Sequence, residues 1–182
     1  MPYVWTSKDT QNAVIASLLP ASIGIAGCCA FSNDASVQSF VQTFRPPSWA
    51  LSNRKVYTAI DLVVISPLGY ATYLVYKDGG GFDYTDTTVA LSIYGLNLAG
   101  VAAVIPAFKN KNLKCIATLA IINTVTASAA AIAYSKINNK AGWLLVPYAL
   151  WSGYYALIAS RIYSNSVGDE PEPIQALASK TE

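Results

Sequence analysis

Histidine is absent from this chain. With it go the commonest general base and the commonest metal ligand. Hydrolytic triads, zinc sites and haem ligation through imidazole are therefore excluded on residue type alone. Charge is scarce as well: 12% of the residues are charged and 53% are hydrophobic, about half the charged share of a soluble domain. A net charge of +2 gives no footprint for nucleic acid, so none is expected as a partner. The three cysteines, Cys28, Cys29 and Cys115, make an odd count and are expected to be buried free thiols, not a disulfide framework. Ile25-Ala26-Gly27-Cys28 has the form of a lipoprotein cleavage box, but the apolar run around it is too long for a signal core and only Lys8 precedes it. The Gly79-Gly80-Gly81 turn is no phosphate loop, because no Gly-Lys-Ser/Thr follows it.

The chain does contain long stretches that are nearly free of charge. Five runs, roughly 11–31, 56–76, 87–108, 115–135 and 141–160, are each about long enough to cross hydrocarbon as a helix. Soluble helices of that length would alternate with a charged face. The expectation is an all-α membrane protein: a five-transmembrane-helix bundle over 11–163, after an amino-terminal segment 1–10 and before a disordered polar tail 164–182. Lys8, Lys77, Lys136 and Lys140 fall on one side of that topology. Arg45, Arg54, Lys55, Lys109, Lys111, Lys114, Arg161 and Lys180 fall on the other. Basic loops resist translocation, so the carboxyl terminus is expected in the cytoplasm.

The last run, AGWLLVPYALWSGYYALIAS, carries Trp143, Tyr148, Trp151, Tyr154 and Tyr155. An ordinary span keeps such rings near its ends; here they run through the middle. Leu144, Tyr148, Trp151 and Tyr155 share one helical face. Phenols and indole at membrane depth need a flat surface to lie on, or acceptors for their O–H and N–H groups. Packing between helices is the alternative use of such a stripe. The first loop, Ser32 to Lys55, holds Phe40, Phe44 and Arg45-Pro46-Pro47-Ser48-Trp49. It is read either as a cap over the bundle mouth or as an interfacial anchor for Trp49. Pro67 lies mid-span and favours a kink. Asp61, on the same face as Tyr57, is either a functional acid within a span or an interfacial helix cap. Asn97, one turn after Tyr94, hydrogen-bonds either a neighbouring helix or a ligand. The small residues of the fourth run suit close helix packing.

Three segments together resemble the translocator protein family, also called tryptophan-rich sensory proteins or peripheral-type benzodiazepine receptors. They are Pro46-Pro47-Ser48-Trp49, the helix end from Gly69 to Gly80, and above all Trp143-Leu144-Leu145-Val146-Pro147-Tyr148-Ala149-Leu150-Trp151. The resemblance covers about 12–165. It implies a five-helix bundle with a capping first loop, often dimeric, whose cavity takes haem, protoporphyrin, sterols or synthetic aromatics as ligands and holds no cofactor. In a eukaryote it implies the mitochondrial outer membrane. Trp151 falls on the pocket tryptophan of the fifth helix, Pro147-Tyr148 on the Pro-Tyr before it, and Trp49 on the tryptophan of the cap. The second-helix tryptophan falls near Tyr57.

Departures are clear too. Val41-Gln42 stands for a lysine-proline pair, Phe44 for a tryptophan, Val101-Ala102-Ala103-Val104 for a polar-aromatic stretch and Ala159 for an asparagine. Ser160 falls where the terminal sterol motif has its tyrosine. Porphyrin breakdown relies on paired tryptophans, and only Trp151 is in place, so no enzymatic activity is expected.

The leading reading is a receptor or carrier for flat hydrophobic ligands, tetrapyrroles foremost and sterols second. Its candidate ligand-binding residues are Trp49, Tyr57, Tyr94, Asn97, Trp143, Pro147, Tyr148, Trp151 and Tyr155. A porphyrin-degrading enzyme and an assembly protein with a vestigial cavity are the alternatives.

Overall fold

A computed structural model describes residues 6–51 and 53–168, apart from the side chains of residues 28, 30–32, 54, 167 and 168. Among the described residues the fold is all helix: α1 (Ser7–Asn33), α2 (Ala35–Gln42), α3 (Arg54–Ile65), α4 (Leu68–Asp78), a short 3-10 turn (Gly81–Asp83), α5 (Thr85–Lys109), α6 (Leu113–Ile137) and α7 (Asn139–Gly168). Each of the five apolar runs lies on helix, the second interrupted at Ser66–Pro67. Among the described residues, three stretches are long and apolar enough to cross a membrane: Lys55–Asp78, Thr85–Lys109 and Leu113–Ile137. The other two runs lie on α1 and α7.

Capping and turn chemistry set the helix ends. Thr6 and Asp9 form a capping box at the start of α1, the Thr6 side chain meeting the Asp9 N–H and the Asp9 carboxylate meeting the Thr6 N–H. Asn138 ends α6, and its side-chain oxygen accepts from the Ala141 N–H in the first turn of α7. The glycine turn between α4 and α5 works because Gly80 and Gly81 both sit at φ 77°, a conformation that side chains disfavour.

Pro67 divides the second span. It has no N–H to give the Val63 carbonyl, and the Ser66 hydroxyl donates to that carbonyl instead, at 3.2 Å. Helix α3 lies above the break and α4 below it.

The core is built mainly on α4 to α7. Leu68, Ala71 and Val75 of α4 meet Ala90, Tyr94 and Leu98 of α5, Ala127, Ala130 and Tyr134 of α6, and Ala141, Leu145 and Tyr148 of α7. Small residues let these helices approach closely. Helix α1 crosses α4 where a Cβ built on Gly69 would stand 2.2 Å from the Ser17 Cα. Most of the remaining face of α1, with Val14, Ile15, Leu18, Leu19 and Ile25, is exposed.

A polar grouping marks one end of the bundle and a contact between two aromatic rings the other. At one, Lys77 pairs with Asp9 at 2.8 Å, the Tyr73 hydroxyl donates to Asp9, and Asn138 donates to Asp78. Lys77 above all, then Tyr73, holds the Asp9 carboxyl well below the usual carboxylate range. At the other end, the first loop leans its Phe44 ring toward Phe108 of α5 at 6.3 Å.

Two expectations change. Cys29 is exposed and Cys115 half-buried, not buried as expected, and the side chain of Cys28 lies outside the described residues. Helix α7 also runs on to Gly168, so the first residues of the expected tail are helical; 169–182 lie outside the described residues. The first loop contains helix α2, capped by Asp34, whose side chain accepts from the Ser36 and Val37 N–H groups.

Candidate ligand site: an aromatic cluster around Asp61

Asp61 lies two turns into α3, and Asn53 rather than Asp61 supplies the N-cap of that helix. The Asp61 carboxylate instead reaches across to α7. The Trp151 indole Nε1–H donates to it at 2.6 Å, and the Tyr155 hydroxyl donates to both oxygens at 3.1 and 3.0 Å. Trp151 and Tyr155 are four residues apart and so share a face of α7. Tyr57 precedes Asp61 by one turn and brings its ring to 5.9 Å from Trp151, 6.2 Å from Tyr154 and 6.0 Å from Tyr155. Trp151 and Tyr154 stack at 4.9 Å with 17° between their planes.

The first loop completes the cluster. Trp49 sets its ring edge-on against Tyr154 at 5.8 Å. The Leu51 N–H donates to the Tyr154 hydroxyl at 3.0 Å, and that hydroxyl lies 3.3 Å from the hydroxyl of Tyr57. Tyr57, Asp61, Trp151 and Tyr154 are half-buried, while Trp49 and Tyr155 are exposed. The cluster therefore keeps an open aromatic surface with a carboxylate in it.

A second polar group lies deeper. The Tyr148 hydroxyl donates to Asn97 Oδ1 at 2.7 Å. Asn97 Nδ2 donates to the Asn123 carbonyl and to Thr126 Oγ1, both at 2.9 Å. Asn97 thus ties α5 to α6 and α7, as a buried polar residue within a bundle must. Tyr94 stands against Tyr134 at 5.9 Å, and its hydroxyl is buried with no hydrogen-bond partner among the described residues.

Of the nine expected ligand-binding residues, Trp49, Tyr57, Trp151 and Tyr155 come together at Asp61, and Tyr94, Asn97 and Tyr148 lie in the core beneath. Trp143 and Pro147 join neither group: Trp143 is 68% exposed and Pro147 also faces outward. Sequence reasoning left Tyr154 out of the site and raised Asp61 only as a functional acid within a span, not as a ligand-binding residue. Their signals were present, since Tyr154 follows Trp151 by three residues and Asp61 follows Tyr57 by four, spacings that share a helical face.

Two hollows lie elsewhere. A shallow groove of about 600 Å³ runs between α1 and α4, lined by residues that include Ala13, Ser17, Ala21 and Tyr70. A smaller one of about 200 Å³ lies among Thr43, Arg45, Ile162, Asn165 and Ser166.

Apolar helices of spanning length, packed through small residues around a buried asparagine tie, define an integral membrane protein of the all-α class. Its relatives make that class specific. The chain matches the TspO/MBR family over residues 16–164 and belongs to that family. It is similar to the sheep translocator protein, 29% identical over 69% of this chain and 70% of the relative. It is also similar to the dog translocator protein 2, 32% identical over 68% and 72%, and to the human translocator protein 2, 27% identical over 66% and 73%.

Proposed function

We propose that this protein is a receptor or carrier that binds flat hydrophobic molecules, tetrapyrroles foremost and sterols second, against the aromatic surface of α3, α7 and the first loop. The observation that carries the reading is the convergence of Trp49, Tyr57, Trp151, Tyr154 and Tyr155. These rings come from three separate segments, yet they leave part of their faces uncovered. Each aromatic pair contributes only about 0.5–1.5 kcal/mol beyond area burial, so affinity rests on how much of a ligand the cluster encloses. In this reading α1 and α7 also cross the bilayer, giving five spans, and the first loop with Trp49 covers the site as a cap. The carboxyl terminus faces the cytoplasm, and in a eukaryotic cell the membrane is the mitochondrial outer membrane. A homodimer is the expected assembly. The site binds and does not catalyse, because its one carboxylate is engaged by indole and phenol donors. The relatives' shared name, translocator protein, supports a carrier.

The test is a titration of protoporphyrin IX into the protein in nanodiscs, followed by the shift of the porphyrin's own Soret band so that loss of an indole does not disturb the readout. Saturable binding is expected, weakened at least fivefold by Trp151→Phe. A titration that does not saturate overturns the reading, and an unchanged one in the variant removes Trp151 from the site.

A further inference from the structure

Asp61 is an unusual thing for an aromatic binding surface to contain. It lies six residues beyond Lys55, where the second span begins, or about 9 Å along the helix at 1.5 Å per residue. A carboxylate at that depth is costly unless it is paired or watered. Among the described residues its partners are neutral: the Trp151 indole N–H and the Tyr155 hydroxyl. Those donors steady the carboxylate and orient it, but they leave its charge uncompensated.

The surrounding rings add to that charge. An aromatic face carries negative potential and attracts cations. Tyr57, Trp151, Tyr154 and Tyr155 all lie within 4.9–6.2 Å of one another, centroid to centroid, in pairs that include Tyr57 or Trp151. A neutral ligand needs no carboxylate here, and an anionic group would be repelled by it. A cation meets attraction from the carboxylate and from the ring faces together. A positive charge spread over a flat aromatic frame suits the site best, since the frame stacks and its diffuse charge is less strongly hydrated than a compact ammonium.

We propose that Asp61, with Tyr57, Trp151, Tyr154 and Tyr155, forms a recognition site for the positive charge of a flat organic cation. This rests on the receptor reading of the same cluster and adds flat cations to the tetrapyrroles and sterols named there. A tetrapyrrole would enter with its propionates turned away from Asp61.

Two dyes of one shape isolate the charge. N-methylacridinium is a permanent cation, whereas acridine at pH 7.5 is neutral. Equilibrium binding of each is measured on the whole protein in phosphatidylcholine nanodiscs, with partition into empty discs subtracted. The cation is expected to bind at least tenfold tighter than acridine. Asp61→Asn should bring the two within twofold, and Asp61→Glu should keep a preference for the cation. Equal binding of the two dyes to the unaltered protein overturns the proposal without any variant, and so does a cation preference that survives Asp61→Asn. Protoporphyrin IX bound without either dye would leave the receptor reading standing and overturn this one. Failure to bind the porphyrin and both dyes would overturn the receptor reading itself, and this proposal with it.

Discussion

Tyr148→Phe deletes one hydroxyl and leaves the ring that packs between α7 and the core. That hydroxyl donates to Asn97 Oδ1 at 2.7 Å, and Asn97 is fully buried, so the variant leaves an acceptor with no replacement. Interhelical hydrogen bonds in membrane proteins average about 0.6 kcal/mol and reach about 1.7. Burial of both partners puts this one in the upper half, at about 1–1.5 kcal/mol. Asn97→Ala costs more, about 2–3 kcal/mol, because it also breaks the two bonds to α6. The sum stays below three full bonds for a structural reason. Thr126 keeps its own bonds to the Ile122 and Asn123 carbonyls, so the Tyr148 hydroxyl is the main group stranded. Once Asn97 is gone, Tyr148→Phe should cost nearly nothing, and the double variant should match Asn97→Ala alone. The assay is reversible unfolding by sodium dodecyl sulfate in mixed micelles, with the four proteins compared at one detergent fraction. Two single losses that add to within about 0.5 kcal/mol in the double variant would refute the tie as the coupling between α5 and α7.

Two further predictions concern the packing of α1. Gly69→Ala places a methyl group against the backbone of Ser17, which cannot swing aside as a side chain can. A loss of about 1–3 kcal/mol in the same detergent assay is expected, and an unaffected stability would refute the close crossing of α1 and α4. The Asp9–Lys77 pair predicts an acid dependence of definite sign. A carboxylate held below its ordinary range stabilises the fold above its unfolded pKa of about 3.9, and that stability is lost as pH falls through the lower folded value. Hydrogen exchange in the first turns of α1 should therefore stay level, after correction for intrinsic rates, from pH 8 to about pH 5. Asp9→Asn should speed it across that range and remove the acid dependence below it.

The helices could be read from the sequence because charge, Asp61 apart, is confined to their ends and to the segments between them. Runs 87–108 and 115–135 fall just inside Thr85–Lys109 and Leu113–Ile137, since a bilayer-length helix ends where polar residues resume. Helix α2 was harder to see, being a single short element in a loop dominated by its prolines. Its one clear signal was Asp34, an N-cap residue type that here caps Ser36 and Val37. In the site, what the sequence made legible was local spacing. Tyr148, Trp151 and Tyr155 lie along one stripe because helical geometry requires it. The partner of Asp61 was not legible, because Trp151 is 90 positions away and nothing local announces it. The outward turn of Trp143 was equally hidden, since a run of aromatics on a span does not say which face meets protein and which meets lipid.

The break at Ser66–Pro67 separates two kinds of obligation along a single span. Below it, Leu68, Ala71 and Val75 are at most 1% exposed and locked into the core. Above it, Leu62 and Val63 are 72% and 70% exposed, and α3 is tied to the rest through Val64 in the core and through Tyr57 and Asp61 on the rings of α7. Changes to the outward positions of α3 are thus free of the packing that holds the bundle together. The outward positions of the upper arm can change, by selection or by design, while the lower arm goes on keeping the fold.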